Sequence, residues 1–243
     1  MRRPRVICFD MGYTLMRHSP TGPELYRQVL AENGHVFESS ALEAGHVSAR
    51  QHYVEATRTG RDFEASMEAA REFWLEYTSL VLDGLGLEAG ALTELAEAVN
   101  ARAWSADCWE PFADSIGALR ALRGLGVRMA VISNFVDTLP SLCTRAGFDD
   151  YFDVILASVD AGAMKPDSRI FETALRRLGV SAGEAWHVGD NYWADVLGAR
   201  AVGMTPVLID REGHVPRADC LKITSLDELV ELVRGLEEEE AAA

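Results

Sequence analysis

A change of texture at Pro111 constrains this chain more than any other feature. Beyond it, short apolar runs at 127–132, 153–157, 185–188 and 205–209 alternate with helical stretches near 112–124, 138–146, 168–178 and 192–202. Such alternation is the signature of a parallel, doubly wound α/β sheet. One further run, Arg5 to Phe9, has the look of a buried strand, but only helical patterns follow it between residues 22 and 103. Gly22-Pro23 opens one helix, with proline suited to the first helical position, and Gly34 closes it. Ser40 with Glu43 forms a capping box for a second helix running to Gly60. Phe63, Met67, Ala70, Trp74, Tyr77 and Val81 share one face of a third, and a fourth spans about 91–102. The expected fold is α/β: a Rossmann-like doubly wound parallel sheet built from residues 1–16 and 106–243, with an all-helical cap inserted at 17–105. An insert placed directly after the first strand sits above the carboxyl edge, where such sheets bind ligands. The last helix is expected to start at Ser225 with Glu228 as capping partner, leaving 237–243 as a frayed, solvated tail.

Bulk properties narrow the function. The 243 residues are enough for a sizeable core, and no run of about 18 uncharged apolar residues could span a membrane. The basic start, Met1-Arg2-Arg3-Pro4, is followed by too short an apolar stretch for a secretory leader, so a cytoplasmic location is expected. Cys8, Cys108, Cys143 and Cys220 lie far apart, which points to neither a zinc site nor a disulfide framework. The formal charge of −15 argues against nucleic acid as a partner. It leaves room for a small phosphorylated ligand, because one lysine and a metal ion can reverse the local field. Monomer and homodimer are both open.

Four loops that follow expected strands carry unusual polar groups. Asp10-Met11-Gly12 ends the first strand on an acid, with a glycine that lets backbone approach a ligand. Ser133-Asn134 offers a hydroxyl and free amides, and Lys165-Pro166-Asp167 holds a cation beside a stiff turn. Asp190 and Asp195 place two carboxylates around a helix start. In a parallel sheet these loops emerge on one edge. Three carboxylates suit Mg²⁺; lysine, hydroxyl and amides suit phosphate oxygens. An aspartate nucleophile can form an acyl phosphate that water opens. Spacing and chemistry therefore point to phosphoryl transfer on a small metabolite.

These loops, in this order, resemble the four motifs of the haloacid dehalogenase superfamily, and the helical insert is similar to its first type of cap. The resemblance implies a hydrolase with Asp10 as nucleophile and metal ligand. It implies Ser133 and Lys165 as phosphate-holding and charge-balancing groups, with Met11, Gly12 and the Asn134 amide also at the phosphate. The implied Mg²⁺ ligands are Asp10, the Gly12 carbonyl, Asp190 and Asp195, the last as ligand or as outer support. Phosphatases of this family usually carry a second aspartate two positions after the nucleophile, as general acid and then base; here Gly12 stands there. Tyr13, His18 or a cap residue are the candidates to replace it.

Two other functions stay open on the residues alone. One is displacement of halide from a 2-haloacid, which Gly12 favours and the retained Asp190 and Asp195 oppose. The other is a phosphate- and metal-binding module without turnover. Elsewhere simpler roles suffice: His187 is expected to be a satisfied core histidine, and Tyr192 and Trp193 to pack beneath their helix at least as readily as to line a pocket.

Overall fold

The computed structural model describes residues 2–241. In chain order its elements are β1 (Val6–Phe9), β2 (Met16–His18), α1 (Gly22–Glu32), α2 (Ser39–Arg58), α3 (Met67–Leu82) and α4 (Ala89–Trp104). There follow β3 (Trp109–Pro111), α5 (Ser115–Gly124), β4 (Arg128–Ser133), α6 (Leu139–Ala146), β5 (Val154–Ala157) and α7 (Ser158–Ala161). The chain finishes with α8 (Ser168–Leu178), β6 (Ala185–Gly189), α9 (Gly198–Ala201), β7 (Thr205–Ile209), β8 (Leu221–Ile223) and α10 (Leu226–Ala241). Two units result: Met1–Arg17 with Pro111–Ala243, and His18–Glu110.

The first unit is built on a six-stranded sheet of order β5-β4-β1-β6-β7-β8, in which every neighbouring pair is parallel. The doubly wound α/β fold expected from the sequence is the one found. β1 lies inside the sheet, with helices covering both faces, which is why Val6, Ile7, Cys8 and Phe9 are all buried and the strand is continuously apolar. The chain leaves β1 towards β4 on one side and β6 on the other, so its carboxyl end is the switch point of the sheet. Registers Phe9↔Val131 and Phe9↔Val188 bring the ends of β4 and β6 level with Asp10.

One face of the sheet is closed by α8. Ile170, Phe171, Ala174, Leu175 and Leu178 pack there with Val6, Cys8, Ala130 and Ile132. The Asp167 side chain caps the helix by accepting the Arg169 N–H, and Gly179 ends it in the left-handed conformation. Gly198 allows the next segment to approach: a Cβ there would press on the Phe171 ring and on Pro166. The α8 face thereby fixes the loop that carries Lys165.

The second unit packs α1 to α4 around Leu25, Val29, Leu42, Val81, Leu95 and Val99. Gly45 brings α2 against α3, since a Cβ there would overlap the Val81 carbonyl. The expected capping box at Ser40 is not formed. α2 begins one residue earlier, after Glu38, without a side-chain cap. Phe63 lies outside α3, because Ser66 caps that helix by accepting the Ala69 N–H; Phe63 instead stacks on Phe73 with ring centroids 3.8 Å apart.

Other differences are local. β8 and the paired β2 and β3 are three residues each, too short to show alternation. The stretch 192–202 divides into a π-helical turn, Tyr192–Leu197, and α9. At the last helix Ser225 accepts the Glu228 N–H, but the Glu228 carboxylate reaches back to Thr224. α10 runs to Ala241, so the glutamates 237–240 continue a helix, with Glu238, Glu239 and Glu240 exposed as expected; 242–243 lie outside the described residues.

Candidate active site

The loops after β1, β4 and β6 and the loop before α8 meet at the switch point, all within the α/β unit. Lys165 stands at their centre. It is 2% exposed, and its Nζ donates to Asp10 Oδ1 at 2.7 Å and to Asp195 Oδ1 at 2.6 Å. Ser133, at the end of β4, donates its hydroxyl to Asp10 Oδ1 at 2.9 Å. Both bonds fall on Oδ1, so Asp10 Oδ2 carries neither. Asp10, Asp190 and Asp195 each present an oxygen within 4.8 Å of the others.

Asn134 does something the sequence did not announce. Its side-chain amide donates to the Lys165 carbonyl at 3.0 Å and accepts the Lys165 N–H at 2.7 Å, so it clasps the lysine's backbone. Met11 offers only main chain to the site, since its side chain is buried and its carbonyl accepts from Leu15 and Met16. Gly12 bridges to Met16 in the same tight flap, and Tyr13 sits at φ 56°, a strained value for a residue with a Cβ.

Asp195 is held on every side. Oδ1 accepts from Lys165 and from His187 Nε2 at 2.9 Å, and Oδ2 accepts the Asn191 N–H at 3.0 Å. Gly189 makes the space, because a Cβ there would overlap the Asp195 carboxylate. His187 is therefore not the fully satisfied core histidine expected. Its Nε2 joins the site, while its buried Nδ1 has no partner among the described residues. The signal was present but faint: His187 and Gly189 share one face of β6, just ahead of the turn that carries Asp195.

Charge follows geometry. Burial raises the Asp10 carboxyl, partly offset by Lys165, and the Asp195 charge raises it further. Asp190, open to solvent on one side but crowded by protein, is pushed up to about 8 by lost hydration and then by Asp10 and Asp195. Asp195 goes the other way: burial works against its charge, but Lys165 and the His187 bond hold it well below the usual carboxylate range. Burial works against the lysine's charge too, and the two carboxylates more than offset it. Burial lowers His187, leaving a neutral imidazole that donates from Nε2.

The candidate replacements for the missing acid fare unequally. His18 belongs to the helical unit, lies against Trp109 in a tilted ring pair with centroids 3.8 Å apart, and is lowered to about 4 by burial, hence neutral at pH 7. Tyr13 is 51% exposed in the flap beside Asp10. Tyr192 hydrogen-bonds Asp219, and Trp193 is 49% exposed and so does not pack beneath its helix.

Residues 4–203 match the sequence profile of the haloacid dehalogenase-like hydrolases. The chain belongs to that family. This hydrolase is 35% identical over 209 residues to the human haloacid dehalogenase-like hydrolase domain-containing protein 3, covering 84% of this chain and 81% of the relative. A HAD phosphatase from Thermococcus onnurineus has a similar structure (TM-score 0.62, 26% identity, 96% of this chain and 98% of the other). So does a 2-haloacid dehalogenase from Pseudomonas syringae (TM-score 0.62, 25% identity, 96% and 99%). Overall likeness thus leaves the reaction to be argued from the site. Among the described residues no helix is long and apolar enough to cross a membrane.

Proposed function

We propose that this hydrolase is a Mg²⁺-dependent phosphomonoesterase acting on a small metabolite through an aspartyl-phosphate at Asp10. The observation that carries the reading is the cluster of Asp10, Asp190 and Asp195 around one shared lysine. Its donors are all carboxylate oxygens, which suit a hard cation. The raised Asp10 and Asp190 carboxyls mark negative charge that Lys165 alone does not balance. The donor set therefore fits Mg²⁺, with Asp10, Asp190 and the Gly12 carbonyl as ligands and Asp195 as ligand or support. The bound ion would supply charge neutralisation at the phosphate oxygens.

In the proposed reaction Asp10 Oδ2 attacks phosphorus, the ester P–O bond breaks with its electron pair going to oxygen, and the alkoxide leaves and takes its proton from water. Ser133 and Lys165 hold Asp10 through Oδ1, so the attacking oxygen is the one that takes neither bond. The third N–H of Lys165, the Ser133 hydroxyl once its single proton turns from Asp10, and the main-chain amides of Met11, Gly12 and Asn134 are proposed to hold the phosphate oxygens. Water then opens the acyl phosphate and restores Asp10. Gly12 can donate no proton to the leaving alkoxide, so esters of acidic alcohols should react best. The helical unit, residues 18–110, is proposed as the cap that selects the substrate.

The test is hydrolysis of p-nitrophenyl phosphate with Mg²⁺, with EDTA, and by Asp10→Asn. Turnover that needs Mg²⁺ and vanishes in the variant is the expected result. Metal-independent release of halide from a 2-haloacid would instead support dehalogenation, the reading that Gly12 favours. Phosphate binding without turnover of any ester would leave a binding module.

A further inference from the structure

We propose that His187 is a positioning residue whose Nε2–H fixes Asp195 so that Lys165 stays divided between Asp195 and the nucleophile. The inference rests on the reading of Asp10, Asp190 and Asp195 as a metal-binding nucleophile site.

His187 lies on β6, paired with Cys8 of β1 and Pro206 of β7. It is wholly buried, on the sheet face occupied by Cys8, Ala185 and Phe171, and the Phe171 ring meets it edge-on at 5.1 Å. An apolar side chain would suit that face. The imidazole leaves Nδ1 without a partner among the described residues, and a buried polar atom left unsatisfied is destabilising. What the histidine adds in return is one bond, Nε2–H to Asp195 Oδ1 at 2.9 Å.

That bond completes a cradle of period two. His187 gives a donor to Oδ1, Gly189 gives space where a Cβ would collide, and Asn191 gives its N–H to Oδ2. Three alternate residues of one strand and its extension thus fix both oxygens of a single carboxylate. The position of Oδ1 sets how the Lys165 ammonium divides, at 2.6 Å to Asp195 and 2.7 Å to Asp10. Without the imidazole, a carboxylate buried to 1% exposure keeps Lys165 as its sole Oδ1 donor and draws the ammonium away from Asp10. The nucleophile then loses its cationic partner and keeps only the Ser133 hydroxyl, and the three-carboxylate cluster loses its spacing.

The experiment compares His187→Leu, His187→Asn and His187→Gln in the full chain. A glutamine amide lies as many bonds from Cα as Nε2 does, whereas an asparagine amide falls one bond short. Mg²⁺ affinity is measured by calorimetry without substrate, and kcat and KM with p-nitrophenyl phosphate. Outer-sphere partners of metal ligands are worth about 10–100-fold in affinity or activity. Leu and Asn should therefore lose about that much in Mg²⁺ affinity and kcat, with KM changed far less, and Gln should recover most of it. If Leu fails to fold, the two amides still decide the matter. Wild-type Mg²⁺ affinity in the Leu or Asn variant overturns the proposal, as does a Gln variant as impaired as Asn. Wild-type protein that binds Mg²⁺ but turns over no ester overturns the phosphatase reading alone, and one that binds no Mg²⁺ overturns both.

Discussion

Replacing Lys165 by methionine removes the ammonium that Asp10 and Asp195 share while keeping most of the side chain's volume. Two short charge-assisted hydrogen bonds are lost, at 2.7 and 2.6 Å. Bonds to charged groups contribute about 1.5–3 kcal/mol each. Breaking a buried pair by removing one partner costs about 3–5 kcal/mol, which agrees. For a protein of this size about 1 kcal/mol moves the midpoint by roughly 2–4 °C, so the α/β unit should melt roughly 6–20 °C lower. The assay is thermal unfolding in EDTA. The penalty should also depend on pH. In the wild type Asp195 is held below the usual carboxylate range, so its stabilisation is present above about pH 4 and is lost only as pH falls through that lowered value. In the variant the Ser133, His187 and Asn191 bonds remain, but the cation that offset burial is gone, so the Asp10 and Asp195 carboxyls rise relative to wild type. Their folded forms then take up protons that the unfolded chain does not, and stability rises more steeply than in the wild type as pH falls from 8 to 5. The gap between the two proteins should narrow over that range. A midpoint within about 2 °C of wild type at pH 8, or a gap that widens on acidification, would refute the reasoning.

Three further outcomes are expected. Gly189→Ala should displace the Asp195 carboxylate, destabilising the fold by about 1–3 kcal/mol on denaturant titration and weakening Mg²⁺ binding in calorimetry. Gly12→Asp should restore a general acid and raise kcat/KM for alkyl phosphates by about tenfold or more relative to p-nitrophenyl phosphate, since such groups contribute about 10²–10⁴-fold; an unchanged ratio counts against the role given to Gly12. Asp190, pushed up to about 8, binds a proton when folded that it lacks when unfolded, so metal-free protein should lose stability as pH rises from about 4 to 8. Saturating Mg²⁺ should flatten that slope, and a slope of the same size with and without the ion would sink the account.

Much of the fold was legible because its signals are local. Val6 to Phe9 is continuously apolar, as a strand covered on both faces must be. The stretch 168–178 coincides with α8, because Asp167, the apolar stripe and Gly179 mark start, face and end. Other signals misled where two local patterns overlapped or where a distant stretch of the same helix decided the outcome. Phe63 fits the spacing of α3, yet the Ser66 cap excludes it. The terminal glutamates are solvent-exposed as they look, but they also continue a helix anchored by the buried Leu229, Val230, Val233 and Leu236, which their own composition does not announce.

The candidate site divides the same way. Which acids, hydroxyl and lysine meet was readable, because parallel strands send their following loops to one edge whatever their separation in the chain. Residues 10, 133, 165 and 190 needed no coordinates to be grouped. How they share charge was not readable. Strand register and side-chain reach, both set by packing, decide that Lys165 touches Asp10 and Asp195, that Asn134 grips the lysine's backbone, and that His187 reaches Asp195. A sequence names the groups that topology will gather; only the packed fold, where hydrogen bonds form or fail within a few tenths of an ångström, decides which of them act together.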